Sequence, residues 1–453
     1  MKTHQLILLT TVLFVTLFYG EEMGLNFGIL GISYALLTLF CTPESSRTRT
    51  FLILFVTGIL SSVAFAWYGD FVSFLAVFTS LFLLAFRSRN RELKSLLVIP
   101  VFAVNFVTFV YRVFQFGEWL PKTNTSAAFK RLVAVILIPA VFILAFFGVY
   151  SLGSTHFAGI FENWEFDFEV WQFIVLSALG FFIAFNFWNF KIEKFIFGWN
   201  HYLKNDFVNE DRVQKPTTSF LGIDSERTSG VISFAALNMM LLVFIVTFNY
   251  EQFIEVTKTP NQLSEETHDR VNAVILSIVM AVLVIMFYFK GNFNFGAKAK
   301  TLKILAQIWL SLNVILVISA VAKNSEYIIN LGLTYKRLGV YAFLVLCLIG
   351  LVLTVIKIRK HKTNAFLFNH MAWYFYGTVL AAAFINWGHL ATSYNISNNK
   401  GNFDFHKSMN YNDGLLFEKY PEEVYMTTKP GEMDKEHNRT FLSKIIYYQT
   451  IKF

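Results

Sequence analysis

Three short stretches hold the residue types that could do chemistry: Ser264-Glu265-Glu266-Thr267-His268, Tyr327 to Arg337, and Ala391-Thr392-Ser393-Tyr394-Asn395-Ile396. In the first, Glu265 and His268 are three apart and would share a helix face. A Glu-x-x-His pair is half of a di-metal carboxylate site, which needs a second pair and further Glu ligands from facing helices. No second pair stands within the apolar blocks of this sequence, so neither a metal nor any other cofactor is expected. Ser264 is expected instead to cap a helix that starts at Glu265, with both carboxylates placed well against the helix dipole. His268, with an ordinary pKa of about 6.5, would sense or relay protons at an interface, or as a neutral ring bond a neighbouring loop.

In the second stretch, Arg337 offers a bidentate clamp for phosphate or carboxylate, or else an anchor for the start of a helix at the lipid head groups. Gly332-Leu333-Thr334 makes a turn, with Gly supplying a backbone conformation that other residues avoid. Tyr327, Thr334, Tyr394 and Asn395 complete the candidate polar surface. Glu21-Glu22 is a further acidic pair, in a turn too short to hold a donor substrate, and no paired-Asp motif accompanies it.

The elements that must position these residues are apolar blocks. Of 453 residues, 55% are hydrophobic and 15% charged, against about 25% charged in soluble domains. The blocks approach the roughly 17 to 25 residues that a helix needs to cross the hydrocarbon. The apolar/polar alternation of a membrane barrel is absent. About twelve candidate spans follow by hydropathy, near 5–20, 25–41, 51–67, 71–86, 96–114, 132–151, 171–190, 231–249, 271–289, 301–322, 340–357 and 367–387. The fold class is therefore all-α: a polytopic transmembrane bundle over 1–387, with 11 or 12 spans, and a small polar C-terminal tail over 388–453 that packs on the helices. The first block follows Lys2, but Tyr19-Gly20-Glu21-Glu22 is a poor signal-cleavage site, so it is kept as a helix.

Lys and Arg near span ends set orientation. The loops 191–230, 290–300 and 357–362 are rich in both and are expected to be cytoplasmic; Leu152 to Glu169, Glu251 to Arg270, Lys323 to Arg337 and the tail are expected outside. All three chemistry-bearing stretches then fall on one outward face. The N-terminal part resists this scheme, because Arg87/Arg89/Arg91/Lys94 and Lys122/Lys130/Arg131 flank a single block, 96–114. Either that block dips in and returns, or an earlier block does not span, or Lys130 and Arg131 break the rule.

Within the blocks, Asn105, Asn186, Asn238, Asn313, Gln307, Ser311 and Ser319 either line a polar path or bond between helices, the latter being the default. The blocks hold no mid-span Asp, Glu or Lys, and Arg112, Lys303 and Lys357 lie near their ends; this argues against pumps and proton-coupled carriers. Lys191 to Lys204 is amphipathic and mixes basic with aromatic residues, as an element lying along the inner leaflet would. The formal charge of +8 is carried mainly by short loops, so it calls for lipid and not for nucleic acid.

The three stretches together resemble an uncharacterised family of polytopic bacterial membrane proteins, a domain of unknown function. Its Ser-Glu-x-x-His, Tyr-x3-Tyr-Gly-Leu-Thr-x2-Arg and Ile-Ala-x-Tyr-Asn-Leu signatures are similar to the stretches here, with Leu331 and Thr392 departing from them. Order and spacing agree across roughly Lys130 to Tyr420. The resemblance implies architecture and a multi-pass location in a bacterial inner membrane, and no reaction. The leading expectation is a non-enzymatic envelope protein whose outward surface binds a protein or lipid head group, or senses it. A transporter or channel for a small or lipidic solute is the first alternative, and a membrane transferase acting on a lipid-linked substrate the second.

Overall fold

A computed structural model of the chain describes residues 1–120, 135, 138–154, 157, 169–208, 222–254, 260–427 and 437–451, with the side chains of 260–271 outside that description. Apolar blocks become helices because a helix satisfies its own backbone hydrogen bonds, which lipid cannot do. Twelve blocks were read from the sequence. They fold as α1 (Thr3–Phe18), α2 (Leu25–Cys41), α3 (Arg49–Tyr68), α4 (Phe71–Arg89), a broken fifth block, α8 (Ile138–Gly153), α9 (Val170–Trp188), α11 (Ile223–Phe253), α12 (Pro260–Tyr288), α13 (Lys300–Leu331), α14 (Tyr335–Arg359) and α15 (Asn364–Phe384). Six of them, α3, α4, α9, α11, α13 and α14, are long and apolar enough to cross a membrane by length and composition, and α1 and α2 are shorter apolar helices. The chain is a helical membrane protein, and no strand forms among the described residues.

Polar residues at the block ends set the boundaries. Thr48, Asp70, Thr334 and Thr363 each accept a hydrogen bond from the backbone N–H three residues on, satisfying one of the donors a helix leaves open. One expected cap is corrected. Helix α12 begins at Pro260, so Ser264 lies inside it and cannot be its N-cap; proline suits a first helical turn because it lacks the N–H that would go unpaired there.

The helices form two lobes. In the first, α1 to α4 and α9 enclose Phe14, Tyr34, Phe51, Leu54, Phe65 and Phe185; in the second, α11 to α14 enclose Phe234, Ile278, Ile285, Leu302, Leu310 and Leu351. Helix α15 joins them. Its Tyr376 sits in the first core, and its Phe366 and Leu367 pack on Leu353 of the second lobe. The Tyr376 hydroxyl also shares hydrogen bonds of 2.7 Å with Thr57 on α3 and with Ser80 on α4.

The fifth block explains the charge conflict of the N-terminal part. It is bent into α5 (Val98–Val107), α6 (Phe109–Phe114) and α7 (Phe116–Trp119). Its contacts with α9 and the residues after it cluster between Phe181 and Lys191, at the last turns of that helix: Phe109 meets Phe181, Phe182 and Phe185, Asn105 donates to the Lys191 carbonyl, and Trp119 meets Phe181 and Phe185. Arg112, almost fully buried, donates to Asn105 O at 3.2 Å and to the Asn189 carbonyl, while Lys191 pairs with Glu118. The block therefore enters at Lys94 and comes back to the same end. Among the described residues, eleven helices then run between the two ends of the bundle. Lys122, Lys130 and Arg131 lie outside the described residues.

That end gathers the basic loops. Lys357 Nζ reaches Phe289 O at 2.6 Å, Thr363 N reaches Asn205 O at 3.1 Å, Lys362 pairs with Asp206, and Lys94 N donates to Asn200 at 3.0 Å. A short helix, α10 (Lys194–Tyr202), lies there with Ile196 buried and Phe195, Phe197, Trp199 and Tyr202 exposed.

Candidate functional site

The opposite end carries the candidate residues and the tail. The tail is a run of short helices, α16 (Trp387–Ser397), α17 (Phe403–Lys407), α18 (Asp413–Lys419), α19 (Pro421–Thr427) and α20 (Ile446–Thr450). Asn386 caps α16 by accepting from His389 N at 2.9 Å, and Asn402 caps α17 by accepting from Phe405 N at 3.1 Å. Both Asn residues thus start helices.

Helix α13 ends at Leu331, and Gly332 follows with φ +86°. A Cβ on Gly332 would stand 2.7 Å from Asn395 Oδ1, so both backbone conformation and space demand glycine. Fully buried Asn395 then grips the turn with both ends of its amide: Leu333 N donates to Oδ1 at 2.5 Å, and Nδ2 donates to Leu333 O at 2.8 Å. Thr334 caps α14, accepting from Arg337 N at 3.4 Å.

Arg337 is turned inward. Its guanidinium is buried, lies 4.0 Å from the centroid of the Tyr327 ring, and donates through Nη1 to Leu331 O at 2.9 Å and to the Gly332 carbonyl. It closes the carbonyl end of α13, where a cation is favoured by the helix dipole. Asn324 Nδ2 holds Arg337 O from below at 3.1 Å. Tyr327, Thr334, Arg337 and Asn395 are thus brought together in one knot between α13, α14 and α16. Tyr394 lies half-buried beside it, its carbonyl accepting from Asn398 Nδ2 at 2.8 Å. Glu265 and His268 are on the first half of α12, and their side chains lie outside the described residues.

The knot continues into the tail through residues that the sequence reading passed over. Lys400 N donates to Asn395 O at 2.8 Å. Buried His406 bonds Lys400 O through Nε2 at 2.8 Å and Tyr420 Oη through Nδ1 at 3.1 Å. A carbonyl only accepts, so Nε2 carries a proton. Asn412 ties Thr392 Oγ1, at 2.6 Å, to His406 O, at 2.8 Å. Tyr335 Oη and the backbone of Asn410 meet at 3.2 Å and 3.3 Å. Beside them, a Cβ on Gly388 would stand 1.8 Å from Asn410 O, so α16 and this loop touch backbone to backbone.

The same tail also fastens to the first lobe. Leu25 N donates to Lys444 O at 2.9 Å, Glu22 N to Ser443 Oγ at 2.7 Å, and Ser443 Oγ to Glu21 Oε2 at 2.5 Å. Arg439 pairs with Glu22 at 3.1 Å, and Tyr411 Oη donates to Tyr68 O at 2.7 Å. Glu21 and Glu22 are therefore attachment points for the tail. Asp413 is half-buried against Tyr447, and burial raises its carboxyl pKa above the ordinary value of 3.8 while the Tyr447 hydrogen bond opposes that shift.

Residues 50–422 match the family described as a domain of unknown function (DUF4153). The chain belongs to this family. The match begins at residue 50, far ahead of Lys130, and so takes in α3 and α4 of the first lobe as well as the knot and the first half of the tail. No curated protein and no solved structure matches the chain. Among the described residues no group of His, Cys, Asp or Glu is arranged to hold a metal ion.

Proposed function

We propose that this membrane protein is a non-enzymatic binding or sensing protein of the cell envelope, whose tail-end face points out of the cytoplasm and engages a protein partner. One observation carries the reading: a single segment, the tail, is hydrogen-bonded to both lobes at the same end, to Glu21–Leu25 and Tyr68 of one and to Leu333 and Tyr335 of the other. A partner that shifts the tail therefore acts on both lobes at once. The side chains of Arg337 and Asn395 are spent on backbone groups, which supports a structural role over catalysis. Tyr425 and Met426, 86% and 83% exposed on α19, and Phe441, 72% exposed, give the tail an apolar, aromatic surface of the kind enriched at protein interfaces.

The test is sidedness. In cells expressing a cysteine-free background, an impermeant thiol reagent should label Lys336→Cys and Ser397→Cys directly, and Lys360→Cys only after permeabilisation. The reverse pattern points this face at the cytoplasm and sinks the reading. A transport reading draws on one observation: Asn238 Oδ1, Trp309 Nε1 and Asn313 Oδ1 are buried on facing helices of the second lobe without a partner among the described residues. It is ranked second because the same two Asn residues bond helix carbonyls through Nδ2, Asn238 to Leu305 O at 3.0 Å and Asn313 to Trp309 O at 2.8 Å, as helix glue does.

A further inference from the structure

At the basic end, one cavity is built where the three basic loops meet. Its volume is about 410 Å³, and its walls come from His201, Tyr202, Lys204 and Asp206 of the first loop, Lys290 of the second, and Thr363 and Asn364 of the third. That size falls in the roughly 300 to 1,000 Å³ range of small-ligand sites.

The frame is fixed by hydrogen bonds. Thr363 Oγ1 donates to Lys204 O at 2.6 Å, Asn369 Nδ2 to Leu203 O at 2.8 Å, and Asn364 Nδ2 to Met286 O at 3.0 Å. Asp206, the acidic group of the wall, is paired with Lys362, so the charge left to the cavity is that of Lys204 and Lys290. Neither lysine has an acidic partner among the described residues. The Asn364 Oδ1 atom is buried and without a partner among them, and Thr363 caps the start of α15 there, a positive helix end. Next to the cavity, α10 exposes Phe195, Phe197, Trp199 and Tyr202, the aromatic pattern of an element lying in the interfacial layer of a bilayer.

We infer that this cavity is a binding site for the phosphate of an anionic phospholipid, with Lys204 and Lys290 on the phosphate, His201 and Asn364 on the polar remainder of the head group, and the acyl chains along the exposed aromatic face of α10. Lipid enters from the side, where α10 lies, and the contacts of Thr363 and Asn369 to the Lys204 and Leu203 carbonyls fix the backbone of that wall.

The test uses the full chain in phosphatidylcholine nanodiscs with and without phosphatidylglycerol, with retained lipid counted by native mass spectrometry. Wild type should retain phosphatidylglycerol preferentially and saturably. The Lys204→Gln/Lys290→Gln double variant should bind it roughly thirtyfold more weakly, equivalent to about 1 kcal/mol for each lysine, and Lys204→Arg/Lys290→Arg should restore binding. Lys298→Gln/Lys300→Gln removes equal charge from the far end of the second loop, outside the cavity lining, and should change binding by less than about threefold. Binding of inorganic phosphate to protein in phosphatidylcholine alone assigns the free anion as ligand of the same site, and its failure to bind, with phosphatidylglycerol retained, assigns the lipid. Equal losses in both Gln variants, or no preferential retention by wild type, overturn the inference.

Discussion

Replacing Asn395 should free the turn between α13 and α14 without unfolding either lobe. The wild-type amide makes two hydrogen bonds to Leu333, at 2.5 Å and 2.8 Å. Each is worth about 1 kcal/mol net. Leu333 is half-buried, so water can reach part of the exposed backbone and the penalty for stranded groups stays at its lower end. The opening free energy should fall by about 2 to 3 kcal/mol in Asn395→Ala, which speeds amide exchange of the turn by about 30- to 150-fold if exchange follows local opening. Asn395→Asp is the sharper control. It keeps an acceptor for Leu333 N but turns a second acceptor toward Leu333 O, in a place with no exposure, so it should open the turn at least as much as Ala does. Hydrogen exchange of the peptide spanning 331–337, followed by mass spectrometry, reads this directly, with the peptide around Cys347 in the second core as the unaffected reference. Unchanged protection of 331–337 in both variants would refute the assignment of Asn395 as the latch.

Arg337→Lys should cost about 1 to 3 kcal/mol, because a point charge cannot lie flat on Tyr327 and fork to the carbonyls beyond it; thermal unfolding followed by a dye that reacts with buried Cys347 measures the loss. Tyr376→Phe removes the two hydrogen bonds that tie α15 to α3 and α4, and at about 0.6 kcal/mol each should lower stability by roughly 1 kcal/mol, read by the same melt. Burial raises the Asp413 pKa, so the folded tail holds that proton more tightly than the unfolded one, and tail docking is strongest below the ordinary carboxyl pKa and weakens as pH rises through the raised folded value. Asp413→Asn should remove this pH dependence and strengthen docking at neutral pH; a protease titration of the tail across pH that finds wild type and variant alike contradicts it.

What the sequence displayed was hydropathy in blocks, and block hydropathy governs where helices form in lipid. It did not display how the blocks group. The two lobes arise from which small and aromatic side chains meet, such as Phe65 and Phe27 or Leu302 and Phe234, and single-chain patterning holds no record of that. The fifth block looked like a span because Leu96 to Phe114 is almost uniformly apolar, but buried Arg112 needs carbonyl partners, and it finds them by folding the block back on Asn105 and Asn189. Asn105 itself reads as helix glue and acts as such, bonding Val101 O and Lys191 O. At the candidate site, the convergence of Tyr327, Thr334, Arg337 and Asn395 was legible from topology. Their use was not. Arg337 turned inward to close α13 because Gly332, with its left-handed φ, leaves two carbonyls within its reach. His406 and Asn412 were passed over because their partners are backbone groups and tail side chains whose positions depend on the tail's own fold.

The folded-back fifth block also decides how the two proposals relate. If it crossed, α1 to α4 and the helices after it would be in opposite phase, and the Arg87 to Lys94 cluster would sit opposite the loops at 290–300 and 357–362. Because it returns, an odd number of helices among the described residues runs between the ends, and the N-terminus stays with the basic loops described while the tail is at the other end. Positive charge gathered at one end is what insertion reads, and under the orientation proposed above the cavity lined by Lys204 and Lys290 faces the anionic inner leaflet and the tail knot faces the other side. The two surfaces share no residue and lie at opposite ends of the bundle. A reversed labelling pattern would therefore exchange the compartments that they face, while leaving the lipid-retention experiment in nanodiscs, which has no sidedness, to stand or fail by itself.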